Sequence, residues 1–239
     1  MPPFLSHANE PGDSEAADPV EATGRSQRPA LIVLGVIAVL LVGFAAGLLV
    51  GKPLHDSTQQ PSAVDIGFSQ DMSVHHAQAV EMSALALSGS TDPAVKRLAY
   101  DILTTQQNQA GRMQAWLQLW NEPLLPTGGY MGWMTDMSSH HHSGTAEHSG
   151  PVSVMPGMAS TDELAALRLA TGPALDTMFL QLMLRHHQGG MPMIEYAAQR
   201  AEVDVVRSLA ESMAKTQSSE AQLMTQMLTE RHATPLPLN

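Results

Sequence analysis

The chain has 239 residues, no cysteine and a formal net charge of −11 at pH 7. Without cysteine it forms neither disulfides nor thiolate metal sites. The negative charge argues against a nucleic-acid partner, because phosphate binding requires clustered Lys and Arg. Methionine and histidine, with 16 and 11 copies, are therefore the soft and borderline metal ligands that remain.

The N-terminal part predicts a tail followed by a membrane span. Residues 1–29 are rich in Pro, Gly, Ser, Asp and Glu, which predicts a disordered tail. The stretch from Ala30 to Val50 carries no charge and is long enough to cross a membrane, which takes about 20 apolar residues. A cleaved signal peptide is the alternative, but its apolar part usually has only about 7–15 residues. We therefore predict a transmembrane helix at 30–51.

The charges that flank this span predict its orientation. Arg25 and Arg28 precede it, and Lys52 follows it closely. The positive-inside rule then places the N-terminal tail in the cytoplasm, and a linker at 52–63 with everything after it outside the cytoplasm.

Three glycines in this region, Gly43, Gly47 and Gly51, follow a Gly-x-x-x-Gly spacing. Such a ridge lets two membrane helices approach closely, so it is a candidate homodimer contact. Glycine is also frequent in membrane spans without this role, and both interpretations stay open.

The remaining chain contains an internal repeat. Asp65–Trp120, the first copy, aligns with Asp176–Arg231, the second copy, without a gap. The match is too regular for chance and indicates a duplicated unit. Identical pairs include Asp65/Asp176, Phe68/Phe179, Gln70/Gln181, Met72/Met183, His75/His186, His76/His187, Met82/Met193 and Ala86/Ala197.

Each copy predicts a helical hairpin. In the first copy we expect helices at Asp65–Leu87 and Pro93–Trp120, because Asp92 can cap the second helix with proline at its first position. The second copy predicts helices at 174–200 and 204–230. Strand patterns are missing.

Two hairpins of similar length most simply form an antiparallel four-helix bundle. We therefore predict an all-α duplicated domain at 64–232, interrupted by a connection at 121–159 and followed by a tail at 233–239.

The repeated histidines and methionines fall on the apolar face of the first helix of each copy. At about 100° per residue, Met72, His75 and His76 share a stripe about 120° wide with the apolar positions. Of the repeated residues in this helix, only Gln70 falls outside the stripe. Buried histidine is unfavourable without a partner, and thioether combined with imidazole suits copper, above all Cu(I). The predicted metal ligands are Met72, His75, His76, Met82, Met183, His186, His187 and Met193.

Other interpretations compete with a copper site. Methionine at helical spacing is often core filler, and a buried histidine can be satisfied by a hydrogen bond, so a metal-free module for protein interaction or envelope structure stays open. A di-iron site is disfavoured because no Glu-x-x-His occurs in the sequence. Nucleophile elbows, phosphate loops and His-Glu-x-x-His are also missing, so an enzyme is not predicted, although a copper-dependent redox enzyme remains conceivable.

The connection at 121–159 is rich in Pro and Gly, which predicts no regular element. Its His-rich tract nevertheless makes it a candidate secondary metal region, with an inert polar linker as the alternative. A capping box from Ser160 to Glu163 predicts a short helix that ends near Thr171. The candidate ligands of the connection are Met131, Met134, Met137, His140, His141, His142, His148, Met155 and Met158.

The segment MPGMASTDELAALRLATGPALDTMFLQLMLRHHQGGMPMIEYA resembles the bacterial "domain of unknown function 305" family, and the first copy looks like its other half. The resemblance implies a ferritin-like four-helix bundle, exported or membrane-tethered, with a role in copper binding. The motif positions it carries over are Asp176, Phe179, Met183, His186, His187 and Met193, with Asp65, Phe68, Met72, His75, His76 and Met82 in the first copy.

The chain departs from this family pattern at Gly190 and Pro192, and Pro192 is expected to kink its helix just after the histidines. Together, the sequence predicts a single-pass membrane protein whose extracytoplasmic domain sequesters or hands on copper.

Overall fold

The computed structural model describes residues 37–44, 60–135 and 150–239. Of the predicted span at 30–51, only residues 37–44 are described, and they are helical. No helix in the described ranges is both long enough and apolar enough to cross a membrane. The tail at 1–29, most of the linker at 52–63, and two glycines of the predicted ridge, Gly47 and Gly51, lie outside the described residues.

The C-terminal part is all-α in the ranges described. Its helices are α1 (Ala63–Gly89), α2 (Pro93–Leu119), α3 (Thr161–Leu169), α4 (Gly172–Arg200) and α5 (Asp204–Glu230). The predicted helices are therefore confirmed, with small shifts at their ends. Across residues 60–135 and 150–239 no strand occurs, and β-pairing is limited to an isolated bridge between Tyr130 and Val152.

Side-chain caps fix where several helices begin. Ser62 and Asp65 form a capping box at the start of α1, and Ser160 and Glu163 form the predicted one at the start of α3. Asp92 caps α2 as expected. These side chains accept hydrogen bonds from N–H groups that the first helical turn leaves without an intrahelical partner.

The long helices pair as two antiparallel hairpins, α1 with α2 and α4 with α5, and the hairpins meet through α1 and α4. Asp65, at the start of α1, accepts hydrogen bonds from the N–H groups of Glu202 and Val203, just after α4. Gly89, at the end of α1, lies against Leu175 at the start of α4. Helices α1 and α4 therefore run antiparallel, with equivalent faces of the two copies toward each other.

Buried apolar side chains form two clusters along this interface. One cluster contains Met82 and Met183, and the other contains Met72 and Met193. The repeated histidines stand between these methionines in both α1 and α4.

Pro192 lies inside α4, which continues past it to Arg200. Proline has no N–H to donate to the carbonyl four residues earlier, so α4 lacks one hydrogen bond there without ending.

Candidate metal centre

The middle of the α1–α4 interface holds His75 and His186, the equivalent histidines of the two copies. Their ring centroids are 3.7 Å apart, with 32° between the ring planes. Both side chains are buried, and none of their ring nitrogens has a hydrogen-bond partner among the described residues. A buried polar group without a partner costs about 1–3 kcal/mol. This pair is thus unfavourable by itself and well suited to receive a ligand.

His76 and His187 are also fully buried, and each makes one hydrogen bond to the other helix of its hairpin. Nε2 of His76 is 2.8 Å from Oε1 of Gln109, and Nε2 of His187 is 2.7 Å from Oε2 of Glu220. Gln109 and Glu220 are equivalent positions of the repeat. In both histidines Nδ1 is buried and has no partner in the part of the chain that is described.

Burial keeps the imidazoles of His75, His76 and His186 neutral. It lowers the pKa of His75 to about 3, with added repulsion from His76 and His187. The carbonyl of Pro156 opposes this shift without reaching hydrogen-bond geometry. Burial also lowers the pKa of His76 to about 4 and the pKa of His186 well below its ordinary value. Neutral imidazole offers a lone pair to a metal at neutral pH.

The four predicted methionine ligands are fully buried, but they group across the copies rather than within one. Met72 shares a cluster with Met193, and Met82 shares the other with Met183. Each cluster therefore combines one predicted methionine of α1 with one of α4. Antiparallel packing explains the exchange, because it brings the first turns of one copy's helix beside the last turns of the other.

The clusters also contain a repeated methionine pair that the stripe analysis did not use as ligands. Met113 of α2 lies in the cluster of Met72, and Met224 of α5 lies in the cluster of Met82. Each follows Gln109 or Glu220 by about one helical turn. Their identity in the two copies was the sequence signal that could have identified them.

Glycines in α4 explain how closely the elements approach at the histidine pair. A Cβ atom at Gly190 would lie 2.8 Å from Cε1 of His75, so any larger residue would push the ring away. A Cβ atom at Gly189 would overlap the carbonyl of Pro156 in the connection. The departure from the family pattern at Gly190 thus coincides with a close contact at the centre of the site.

The described parts of the connection at 121–159 also contact α1. The N–H of Met131 and Nε1 of Trp133 donate to Oδ2 of Asp71, at 2.6 and 2.8 Å. The side chain of Gln78 donates to the carbonyl of Ala159 and accepts from its N–H, at 2.9 and 2.7 Å. The connection has no regular element in its described parts, as predicted, yet much of it is docked.

The candidate secondary ligands separate into two groups. Met155 is buried, and Met131, Met134 and Met158 are partly buried against the cluster of Met72 and Met193. The others lie outside the described residues: Met137, His140, His141, His142 and His148.

Two repeated polar residues serve the fold. Asp65 accepts hydrogen bonds from Ser62 and from the backbone that leads into α5. Gln70, expected off the buried stripe, is buried as well, because the chain after α2 covers it and its amide donates to the carbonyl of Pro123. Gln181 makes the equivalent bond in the second copy.

Within the described ranges, no three His, Asp or Glu side chains form a metal-binding group.

The profile of a domain of unknown function, DUF305, matches residues 65–228. The chain belongs to the DUF305 family. A DUF305 protein of Streptomyces coelicolor that is described as secreted has a crystal structure with 40% sequence identity and a TM-score of 0.63, covering 73% of this chain and 97% of that one. The family resemblance and the all-α fold of paired hairpins are thereby confirmed.

Two further structures share this DUF305 fold. A DUF305 fragment from Deinococcus radiodurans has 30% identity and a TM-score of 0.56, covering 71% of this chain and 98% of that one. CopM in a Cu(II)-bound form has 25% identity and a TM-score of 0.52, covering 70% of this chain and 96% of that one. No curated protein matches the chain.

Proposed function

We propose that this DUF305 protein binds copper as Cu(I) between α1 and α4 and either sequesters the ion or passes it on. The observation that carries the proposal is the close pair of His75 and His186, with ring centroids 3.7 Å apart. Their ring nitrogens have no partner among the described residues, and buried methionines lie on both sides of the pair.

The donor set favours copper over harder cations. Thioether sulfur and neutral imidazole are ligands that suit Cu(I), whereas Mg²⁺ and Ca²⁺ prefer oxygen. The described residues hold no group of three His, Asp or Glu side chains that could bind a metal without sulfur. A bound copper ion would draw on imidazole nitrogen from His75 or His186 and on sulfur from the methionine pairs.

The chain prepares these ligands in two ways. The low pKa values of His75 and His186 mean that binding at neutral pH displaces no proton from either ring. Packed helices hold the ligands in place, so little conformational entropy remains to be lost on binding.

The relatives support the proposal at the level of the family. CopM, whose structure has been determined with Cu(II) bound, shares the fold at 25% identity. The description of the Streptomyces relative as secreted supports a location outside the cytoplasm. We further propose that residues 30–51 anchor the chain and that the domain is a ferritin-like four-helix bundle.

A competition experiment tests the function. The full chain, purified metal-free in detergent under reducing conditions, is titrated with Cu(I) in the presence of a Cu(I) chelator, and separately with Zn(II). We expect it to retain Cu(I) and to bind Zn(II) weakly. Zinc binding as tight as copper binding, or loss of all Cu(I) to the chelator at low chelator excess, would contradict the proposal.

A further inference from the structure

Met155 belongs to the connection, yet it is buried like a core residue, with a relative exposure of 2%. It shares its cluster with Met72 of α1 and Met193 of α4. Met158, three residues later, is only partly buried against the same cluster. The two methionines of this loop therefore have different surroundings.

Three observations relate this group of methionines to His75. Met72 precedes His75 by about one turn on the buried face of α1. The backbone of Gly190 lies against the His75 ring, and Met193 follows Gly190 by about one turn of α4. On the third side, the carbonyl of Pro156 lies against Gly189, the neighbour of Gly190, and Met155 is the residue just before Pro156.

The loop that carries Met155 is held by side chains from distant parts of the chain. Gln78 binds both the N–H and the carbonyl of Ala159. The side-chain amide of Asn239 accepts a hydrogen bond from the N–H of Gly157 and donates one to the carbonyl of Met158, both at 3.0 Å. Gly157 has φ +80° and lies close to the α4 backbone, where a side chain would not fit.

We propose that Met155 is a third thioether ligand of a Cu(I) site formed with Met72, Met193 and His75. The inference rests on the proposed copper binding and makes the connection part of the primary site. Three thioethers and one neutral imidazole form a soft, uncharged donor set, which favours a monovalent soft cation. Because the loop is already held in place, Met155 requires little further ordering to bind.

The substitution Met155→Leu tests this assignment, because leucine keeps the approximate volume and is generally tolerated in place of a buried methionine. We expect the full chain to lose at least tenfold in Cu(I) affinity while its circular dichroism stays helical. Met178→Leu, at a partly buried position of α4 against the other cluster, is the matched control and should leave the affinity unchanged. Equal affinity of the Met155→Leu variant and the parent protein, or equal losses in both variants, would overturn the inference.

The variant His75→Gln separates this inference from the proposed function. If His75→Gln weakens Cu(I) binding and Met155→Leu does not, copper binding stands and the role of Met155 is wrong. If neither affects binding, the site itself is wrong. NMR of methyl-labelled methionine gives a direct readout, with Ag(I) as the probe. The Met155 methyl signal, identified by its loss in Met155→Leu, should shift when the first equivalent of Ag(I) is added. An unmoved signal would overturn the assignment.

Discussion

Gln109 in the first copy and Glu220 in the second occupy the same place and contact equivalent histidines, but their chemistry differs. The amide oxygen of Gln109 faces Nε2 of His76 and accepts its proton, but the amide also has an NH₂ group, so turning it over allows the other tautomer of His76. An ionised carboxylate only accepts, so in that form Glu220 requires a proton on Nε2 of His187. A neutral ring in this arrangement has its lone pair on Nδ1. A carboxylate behind a histidine also increases the basicity of its other nitrogen.

The two copies differ at the central pair too. His75 is contacted by Gly190, whereas the equivalent of Gly190 in the first copy is Ala79, which is buried in the other cluster. The connection reaches the cluster of Met72 and Met193 through Met155. Duplication thus produced the repeated pattern of His and Met, and later differences around it made the two ends of the interface unequal.

The central histidine pair should give the largest effect. Replacing His75 and His186 together by Gln should lower Cu(I) affinity by more than about 100-fold, since even outer partners of a ligand are worth roughly 10–100-fold. Chelator competition measures this, with circular dichroism as the check on folding. If the double variant retained its Cu(I) affinity, neither copy would contribute its first histidine to the site.

The equivalent histidines of the two copies, His75 and His186, should contribute alike to the pH dependence of stability. In the metal-free chain the folded pKa values of His75 and His186 lie below the usual 6.5. The unfolded chain therefore takes up these protons first, and stability is lost as pH falls below about 6.5.

Each such histidine contributes about 1.4 kcal/mol per pH unit in this range, or roughly 2 kcal/mol between pH 6.5 and pH 5. Urea unfolding at the two pH values measures the loss. His75→Gln and His186→Gln, tested separately, should each reduce it by a similar amount. A loss that is unchanged in both variants would show that these rings are not buried in the neutral form.

The exchange of Glu220 and Gln109 tests the difference between the copies. Glu220→Gln should lower Cu(I) affinity about tenfold, the lower end for an outer-shell partner, and should allow His187 both tautomers. Nitrogen-15 NMR of the histidine rings reads the tautomer directly. Gln109→Glu should hold the proton of His76 on Nε2, because a carboxylate, unlike the amide, offers no donor when it turns over. If the tautomer of His187 does not respond to Glu220→Gln, the carboxylate does not position this ring.

Gly190 should give the smallest effect. Alanine at an interior helix position normally stabilises by about 1 kcal/mol over glycine, but here its Cβ would lie 2.8 Å from the His75 ring. Overpacking of this kind costs about 1–3 kcal/mol, so Gly190→Ala should be net destabilising by roughly 1 kcal/mol in urea unfolding. Gly111→Ala, at an open position of α2, is the control and should stabilise. Stabilisation by both would contradict the close contact.

The sequence predicted the helices and the buried stripe because both depend on local periodicity. Helix α5 begins and ends where expected, and His75 and Met82 point inward. The grouping of Met72 with Met193 was not predictable in this way, because it depends on how α1 crosses α4 rather than on either helix alone.

The burial of Met155 was missed for a different reason. The connection has no periodicity, so its packing left no pattern at the level of one element. The signal that did exist was Gly189-Gly190 inside a helix, since glycine there is unfavourable and indicates a close approach by another segment. Gly157, with its positive φ, is the part of the connection that meets this pair.

Thermal unfolding of the full chain with and without Cu(I) tests the central claim most directly. An ion that binds only the folded state stabilises it by about 2.7 kcal/mol at a free concentration 100 times Kd. We expect Cu(I) to raise the Tm of the parent protein and to leave the Tm of the His75→Gln/His186→Gln variant nearly unchanged. A Tm that does not respond to Cu(I), or that rises equally in both proteins, would contradict copper binding at the α1–α4 interface.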